Sequence, residues 1–280
     1  MRITVFTSNQ PRHLSLIEAL AGVADQVCAV QECNTVFPGQ VADFFRKSEV
    51  MQRYFQRVMA AEAEVFGATR FGPANVRHLS VRMGDLSRLP VETLRPALDA
   101  DVYVVFGASY IRGALCELLI DRGALNIHMG VSPYYRGSST NFWALYDELP
   151  DYVGATIHLL SRGLDSGPIL FHALPAAEAV DPFVLGMKAV KAAQTALVER
   201  IRTGEIRTFD PVPQDKSREI RYTRRADFTD EVAQEYLGRL PSPEQVLSAL
   251  RGRDTSRFLR PYIPDAPPTP VLVGKKAGSC

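Results

Sequence analysis

Short apolar runs alternate with longer, helically spaced ones through the first two hundred residues. Ile3-Thr4-Val5-Phe6 and Val27-Cys28-Ala29-Val30 read as strands, and residues 14–20 between them as an amphipathic helix. A long helix is predicted over about 41–65, where Phe44, Met51, Phe55, Met59 and Ala63 recur near the helical period. Residues 76–81 read as a strand and 91–98 as a helix. Val102-Tyr103-Val104-Val105-Phe106 is apolar throughout, the pattern of a strand buried on both faces. A helix over 111–120 and a strand over 124–128 continue the series. This βαβα alternation predicts an α/β protein: a mostly parallel, twisted sheet with helices on both sides and right-handed crossovers.

Asp181-Pro182 supplies an N-cap followed by proline at the first helical position. From there Phe183, Val184, Met187, Val190, Leu197, Val198 and Ile201 trace one helix face. Beyond about residue 203 the texture changes to charge, proline and short elements. Ser242-Pro243-Glu244-Gln245 has the spacing of a capping box, with Gly252 placed to close the short helix. Pro261, Pro264, Pro267, Pro268 and Pro270 punctuate an extended segment. The expected organisation is a body over 1–203, a small C-terminal subdomain over 204–273 and a disordered tail over 274–280.

Of 280 residues, 46% are hydrophobic and 22% charged, an ordinary globular balance. The net charge of +1 lacks the basic excess of a general polyanion binder, so DNA and anionic membrane are poor partners. Cys28, Cys33, Cys116 and Cys280 form no CxxC pair, which suits a reducing compartment and gives no metal site. The opening residues read as a strand rather than a signal core, and no apolar stretch reaches the ~20 residues of a membrane span. A cytoplasmic protein acting on small molecules is expected.

Three segments could carry chemistry. Phe106-Gly107-Ala108-Ser109-Tyr110 leaves a buried strand at its carboxyl end, where open α/β sheets bind ligands. Alone it is also the pattern of an ordinary tight turn. In Asn126-Ile127-His128, strand alternation puts two polar side chains on one face. Leaving either unsatisfied in a core would cost about 1–3 kcal/mol, so they are a hydrogen-bonded core pair or a site. Finally, Asp165 lies between Gly163 and Gly167 just before an apolar strand, as a turn or a presented carboxylate.

Together these segments resemble the folate-dependent formyltransferase family, which includes glycinamide ribonucleotide transformylase, methionyl-tRNA formyltransferase and nucleotide-sugar N-formyltransferases. Its motifs are met in order by Asn126-Ile127-His128, Pro133 to Gly137, and Leu164-Asp165-Ser166-Gly167, with His128 and Asp165 37 positions apart. Where the family usually has Ser-Leu-Leu-Pro, this chain has Gly130-Val131-Ser132-Pro133. The resemblance covers roughly residues 1–202 and implies a Rossmann-like formyltransferase fold with N10-formyltetrahydrofolate as co-substrate and no metal. It implies a catalytic trio: Asn126 as oxyanion donor, His128 as proton carrier, and Asp165 raising the His128 pKa. It places the pterin along Phe106, Gly107 and the Ser109, Tyr110, Ile111 and Arg112 backbone, facing Arg162, Gly163 and Leu164. His158 matches a histidine of some relatives, in an orienting or structural part.

The acceptor is less constrained. Ser8-Asn9-Gln10-Pro11-Arg12-His13 opens the first helix without the glycines that the purine-pathway relatives use for a substrate phosphate. Asn9, Arg12 and His13 can contact an acceptor group or belong to a solvated loop. Tyr134, Tyr135 and Arg136 can stack a base and grip a pyrophosphate, or pack within their loop. The 78 residues after Arg202 do not match the basic barrel of the tRNA enzymes. The expectation is therefore formylation of a nucleotide-linked amino sugar. An amino-acid-derived amine or hydroxylamine, methionyl-tRNA, and folate binding without turnover are the alternatives, and a homodimer is left open.

Overall fold

The first strand, buried on both faces, shows how the core divides. The chain runs β1 (Arg2–Thr7), α1 (Pro11–Ala21), β2 (Gln26–Cys33), α2 (Glu49–Phe66), β3 (Val76–Arg82), α3 (Val91–Leu94) and β4 (Val102–Val105). It continues as α4 (Gly113–Asp121), β5 (Leu125–His128), β6 (Tyr135–Gly137), α5 (Thr140–Tyr146), β7 (Ala155–Leu159), β8 (Ile169–Ala173) and α6 (Pro182–Thr203). The last elements are β9 (Arg221–Thr223), α7 (Asp230–Gly238) and α8 (Pro243–Arg251). This computed structural model describes residues 1–40 and 48–264. Ile3 and Val5 of β1 join Leu16, Ile17 and Leu20 of α1 and Ala193 and Leu197 of α6 in one cluster. Phe6 points the other way, into a second cluster with Val105 of β4 and Leu115 and Leu119 of α4. A strand covered on both faces needs apolar side chains in both registers, which β1 and β4 supply.

Seven strands form one sheet in the order β3-β2-β1-β4-β5-β7-β8. Pairing is parallel from β3 through β5 and antiparallel at β5–β7 and β7–β8, so the sheet is mostly parallel, as expected. The free edge of β8 is covered by the chain itself. Val212 exchanges two backbone hydrogen bonds with Ile169, and Leu259 and Tyr262 bond to His172 and Leu174. Residues 204–264 do not stand apart from the body. Tyr236, Val246, Leu250 and Phe258 bury themselves in an aromatic cluster with Tyr134, Tyr135, Trp143, Tyr152 and Phe183.

Helix ends follow the expected local chemistry at α6 and α8. The Asp181 carboxylate accepts from Phe183 N at 2.9 Å, Pro182 opens α6, and Gly204 closes it at φ 77°. Ser242 and Gln245 exchange the two bonds of a capping box. Other boundaries differ. The helix expected over 91–98 is α3 followed by a 3-10 turn, Arg95–Ala97, because Pro96 has no N–H to donate. The loop expected after His128 contains β6, which pairs with β9 from the C-terminal segment. The first part of the helix expected over 41–65, with Phe44, lies outside the described residues, as does everything beyond residue 264, including the 274–280 tail. Among the described residues no helix is long and apolar enough to cross a membrane.

Candidate active site

β5 sits between β4 and β7 and ends where ligands bind in open sheets. Asn126 and His128 lie on one face, as alternation requires, and Asn126 is directly opposite His158 of β7. All three are buried. Asp165 comes from the loop joining β7 to β8 and completes the group. Its backbone is left-handed at φ 46°, and Gly167 closes the loop against β7 so tightly that a Cβ there would lie 1.8 Å from Leu159 O.

The hydrogen bonds fix how these groups face each other. His158 Nδ1 lies 2.8 Å from Leu159 O and must carry a proton to donate to it. Its Nε2 then accepts from Asn126 Nδ2 at 2.9 Å, which sets the amide orientation. The second N–H of Asn126 points to Asp165 Oδ1 at 3.4 Å. Asp165 Oδ2 lies 3.2 Å from His128 Nδ1. His128 Nε2 is left with a long contact of 3.5 Å to Tyr135 O.

Burial opposes charging of the His128 ring. The Asp165 charge and hydrogen bond outweigh it, with help from Tyr135 O, and the pKa is raised above the usual value. Burial likewise opposes the Asp165 carboxylate, but the charge and hydrogen bond of His128 beside it hold its pKa well below the usual range. The pair thus favours its charged form, beside an oriented amide.

The trio opens on a cavity of about 410 Å³. Phe106, Gly107, Ser109, Tyr110 and Ile111 line one wall, and Gly163 and Leu164 the opposite one. Gly107 has φ 70° and lies against His13, where a Cβ would meet Nε2 at 2.4 Å. Two residues expected to hold the pterin are not part of the lining. Arg112 stacks its guanidinium 4.7 Å above the Tyr110 ring, and Arg162 is turned outward in a bidentate pair with Glu117.

Sequence reasoning missed Glu32, which shapes this wall. It is fully buried at the end of β2, and Oε1 accepts from Gly84 N, Leu86 N and Ser109 Oγ at 2.9, 3.1 and 2.9 Å. Its Oε2 accepts from Ser109 N at 2.5 Å. A carboxylate near the carboxyl end of β2, at the ligand-binding end of the sheet, was the available signal.

The residues expected to grip the acceptor are mostly committed elsewhere. Asn9 bridges to the backbone of Asn34, away from the cavity. Arg12 and His13 line it, but Arg12 is pinned by Glu62 at 2.9 Å, and burial together with the Arg12 charge pushes the His13 pKa well down. Tyr134, Tyr135 and Arg136 are corrections to the sequence reading, since all three turn inward. Tyr134 meets Tyr152 edge to face and donates to Arg257 O at 2.8 Å. Tyr135 donates to Asp147 at 3.0 Å, and Arg136 pairs with Glu219 at 2.8 Å. The stretch is the seam on which the C-terminal segment packs.

A second cavity of about 1770 Å³ adjoins the first across Gly107, Ala108, Ser109 and Ser138. Tyr54, Phe55 and Phe228 give it aromatic walls, and Arg82 and Arg225 give it cationic ones. Among the described residues, no group of three or more His, Cys, Asp or Glu side chains could hold a metal ion.

Residues 90–201, which contain the trio, match the family model described as formyl transferase. Over this segment the chain is similar to the formyl transferase family. A methionyl-tRNA formyltransferase of Synechococcus sp. (strain JA-3-3Ab) is 32% identical over 123 residues, 44% of this chain and 38% of that protein. One from Anaeromyxobacter dehalogenans is 33% identical over 120 residues, 42% of this chain and again 38% of its own length. The chain thus matches little more than a third of these curated relatives. Among solved structures, a 4-N formyltransferase from Francisella tularensis shares the fold, with a TM-score of 0.51 and 19% identity over 81% of this chain and 77% of that one.

Proposed function

We propose that the protein transfers a formyl group from N10-formyltetrahydrofolate to the primary amine of a nucleotide-linked amino sugar. The observation that carries this reading is the buried Asn126–His128–Asp165 cluster facing a cavity walled by two backbone loops. In this reading the pterin lies between the 106–111 and 163–164 walls. The acceptor amine attacks the formyl carbon, the new C–N bond forms, and a tetrahedral oxyanion develops. Asn126 Nδ2 is the donor for that oxygen. Its bond to His158 is short and fixes the amide, whereas its 3.4 Å contact to Asp165 is the weaker one, which the formyl oxygen displaces. Such a preorganised donor contributes about 2.7–4 kcal/mol.

The C–N10 bond then breaks, and the proton lost by the amine passes to N10. His128, kept protonatable by Asp165, is the group suited to stabilise the oxyanion and move that proton. Asp165 and the catalytic strand thus act as one unit.

The acceptor assignment rests on the second cavity rather than on Tyr134 to Arg136. Aromatic walls suit a stacked base, and guanidinium groups suit a pyrophosphate. The cavity meets the first beside Ser109 and Ser138, so a sugar amine could extend from it to the formyl carbon. The sequence matches to methionyl-tRNA formyltransferases favour charged tRNA as the second reading.

The test is a mass-spectrometric assay with the formyl donor and UDP-, TDP- and GDP-linked amino sugars, hydroxyornithine and methionyl-tRNA. Formylation of a nucleotide sugar is expected. Turnover should rise with pH as the amine loses its proton, then fall as His128 deprotonates. Turnover of hydroxyornithine or methionyl-tRNA alone refutes the acceptor, and no turnover of any amine refutes formyl transfer.

A further inference from the structure

Gln214 lies in the extended segment after α6, two residues beyond the point where Val212 pairs with Ile169 on the edge of β8. Its Nε2 donates to Asp165 O at 2.8 Å and to Gly167 O at 2.9 Å. Two carbonyls need two donors, and a primary amide carries two N–H groups on one nitrogen. The orientation is therefore fixed. Turned end for end, the amide would set its oxygen against both carbonyls.

The residue held in this way is the one that needs holding. Asp165 has φ 46°, a left-handed conformation that costs an L-residue roughly 1–2 kcal/mol. Such a conformation persists only where its surroundings over-determine it. Inside the loop, Ser161 Oγ donates to Gly163 O at 3.1 Å and lies 3.0 Å from Ser166 Oγ. Neither contact reaches the carbonyl of Asp165. Gln214 does so from outside the loop, and it bonds on both sides of Ser166.

We propose that Gln214 is a positioning residue, whose amide locks the 165–167 backbone so that the Asp165 carboxylate stays on His128 Nδ1. The C-terminal segment thereby completes the candidate active site without entering it. The proposal rests on the formyl-transfer reading only for its effect on turnover; its effect on His128 is independent of that reading.

The groups around the pair are few. Asp165 from its loop and the Tyr135 carbonyl favour a charged His128, while burial and Arg136 of β6 disfavour it. Asp165 in turn faces His158 of β7 and the Asn126 amide of β5. If the carboxylate moves away, burial and Arg136 dominate and the ring becomes harder to protonate.

The test is an NMR titration of the five histidine rings in wild type, Gln214→Ala, Gln214→Glu and Asp165→Asn. Glutamate keeps the shape but sets carboxylate oxygens against the two carbonyls. Both Gln214 variants should lower the His128 pKa by at least half of the drop that Asp165→Asn produces, with thermal midpoints close to wild type. In the transfer assay kcat should fall while KM for the donor changes little. An unchanged His128 pKa in the folded variants overturns the proposal, as does a variant whose five rings all shift together to ordinary values. If His128 shifts as expected but the wild type transfers no formyl group, the positioning role stands and the function reading fails.

Discussion

Glu32→Gln isolates the contribution of a single buried carboxylate to the shape of the cavity wall formed by Phe106 to Ile111. In the wild type its two oxygens accept four hydrogen bonds, three from backbone N–H groups and one from Ser109 Oγ. A glutamine offers one oxygen. Set towards Gly84 N and Leu86 N, that oxygen keeps their bonds, but the new NH2 then faces Ser109 N–H, donor against donor. Reversing the amide restores the Ser109 bond and strands the other two donors. Bonds to a charged acceptor contribute about 1.5–3 kcal/mol and a stranded buried N–H costs about 1–3 kcal/mol, so a loss of about 2–4 kcal/mol follows. Guanidinium denaturation at constant pH measures it by linear extrapolation. Because Ser109 lies in the cavity wall, calorimetry with a stable folate analogue should also show Kd weakened by about tenfold or more. A variant within about 0.5 kcal/mol of wild type, with unchanged Kd, would show that the wall does not depend on this carboxylate.

Two further outcomes follow from the site and its surroundings. His128→Ala and Asn126→Ala should each lower formyl turnover by at least ~10²-fold while circular dichroism shows the fold retained; near-normal kcat at saturating donor in either variant contradicts the assigned roles. His172 donates from Nε2 to Ser132 O at 2.7 Å and accepts from Leu259 N on Nδ1 at 2.8 Å, and burial pushes its pKa down from 6.5 to about 4. The unfolded chain then binds the extra proton first, so stability falls as pH drops from 6.5 towards 4, by up to about 3 kcal/mol. Denaturation across that range should show a flatter slope for His172→Asn, and equal slopes would exclude His172 as the cause.

What could be read from the sequence was what local geometry decides. Period-2 alternation placed Asn126 and His128 on one face of β5, and capping chemistry located the ends of α6 and α8, because each depends on residues a few positions apart. The roles offered to Tyr134, Tyr135 and Arg136 failed for the opposite reason. Tyr134 is anchored to a residue 123 positions away and Arg136 to one 83 away, and no pattern within the loop announces either. Arg162 was drawn off by Glu117, 45 positions earlier. Gln214 was invisible in the same way, since a glutamine between Pro213 and Asp215 carries no signal that its amide meets a loop 49 residues upstream. The family motifs carried the reading because they record such distant placements indirectly.

The covered edge of β8 bears on how the molecule behaves in company. A bare strand edge is a row of unpaired N–H and C=O groups on which another chain can continue the sheet. Here Val212 takes up one end of that row and the Leu259–Tyr262 stretch the other, while the opposite border, β3, carries the exposed charges of Arg77 and Arg82. The same backbone that fastens the C-terminal segment to the body of the sheet therefore covers the β8 side, from which aggregation could otherwise be templated.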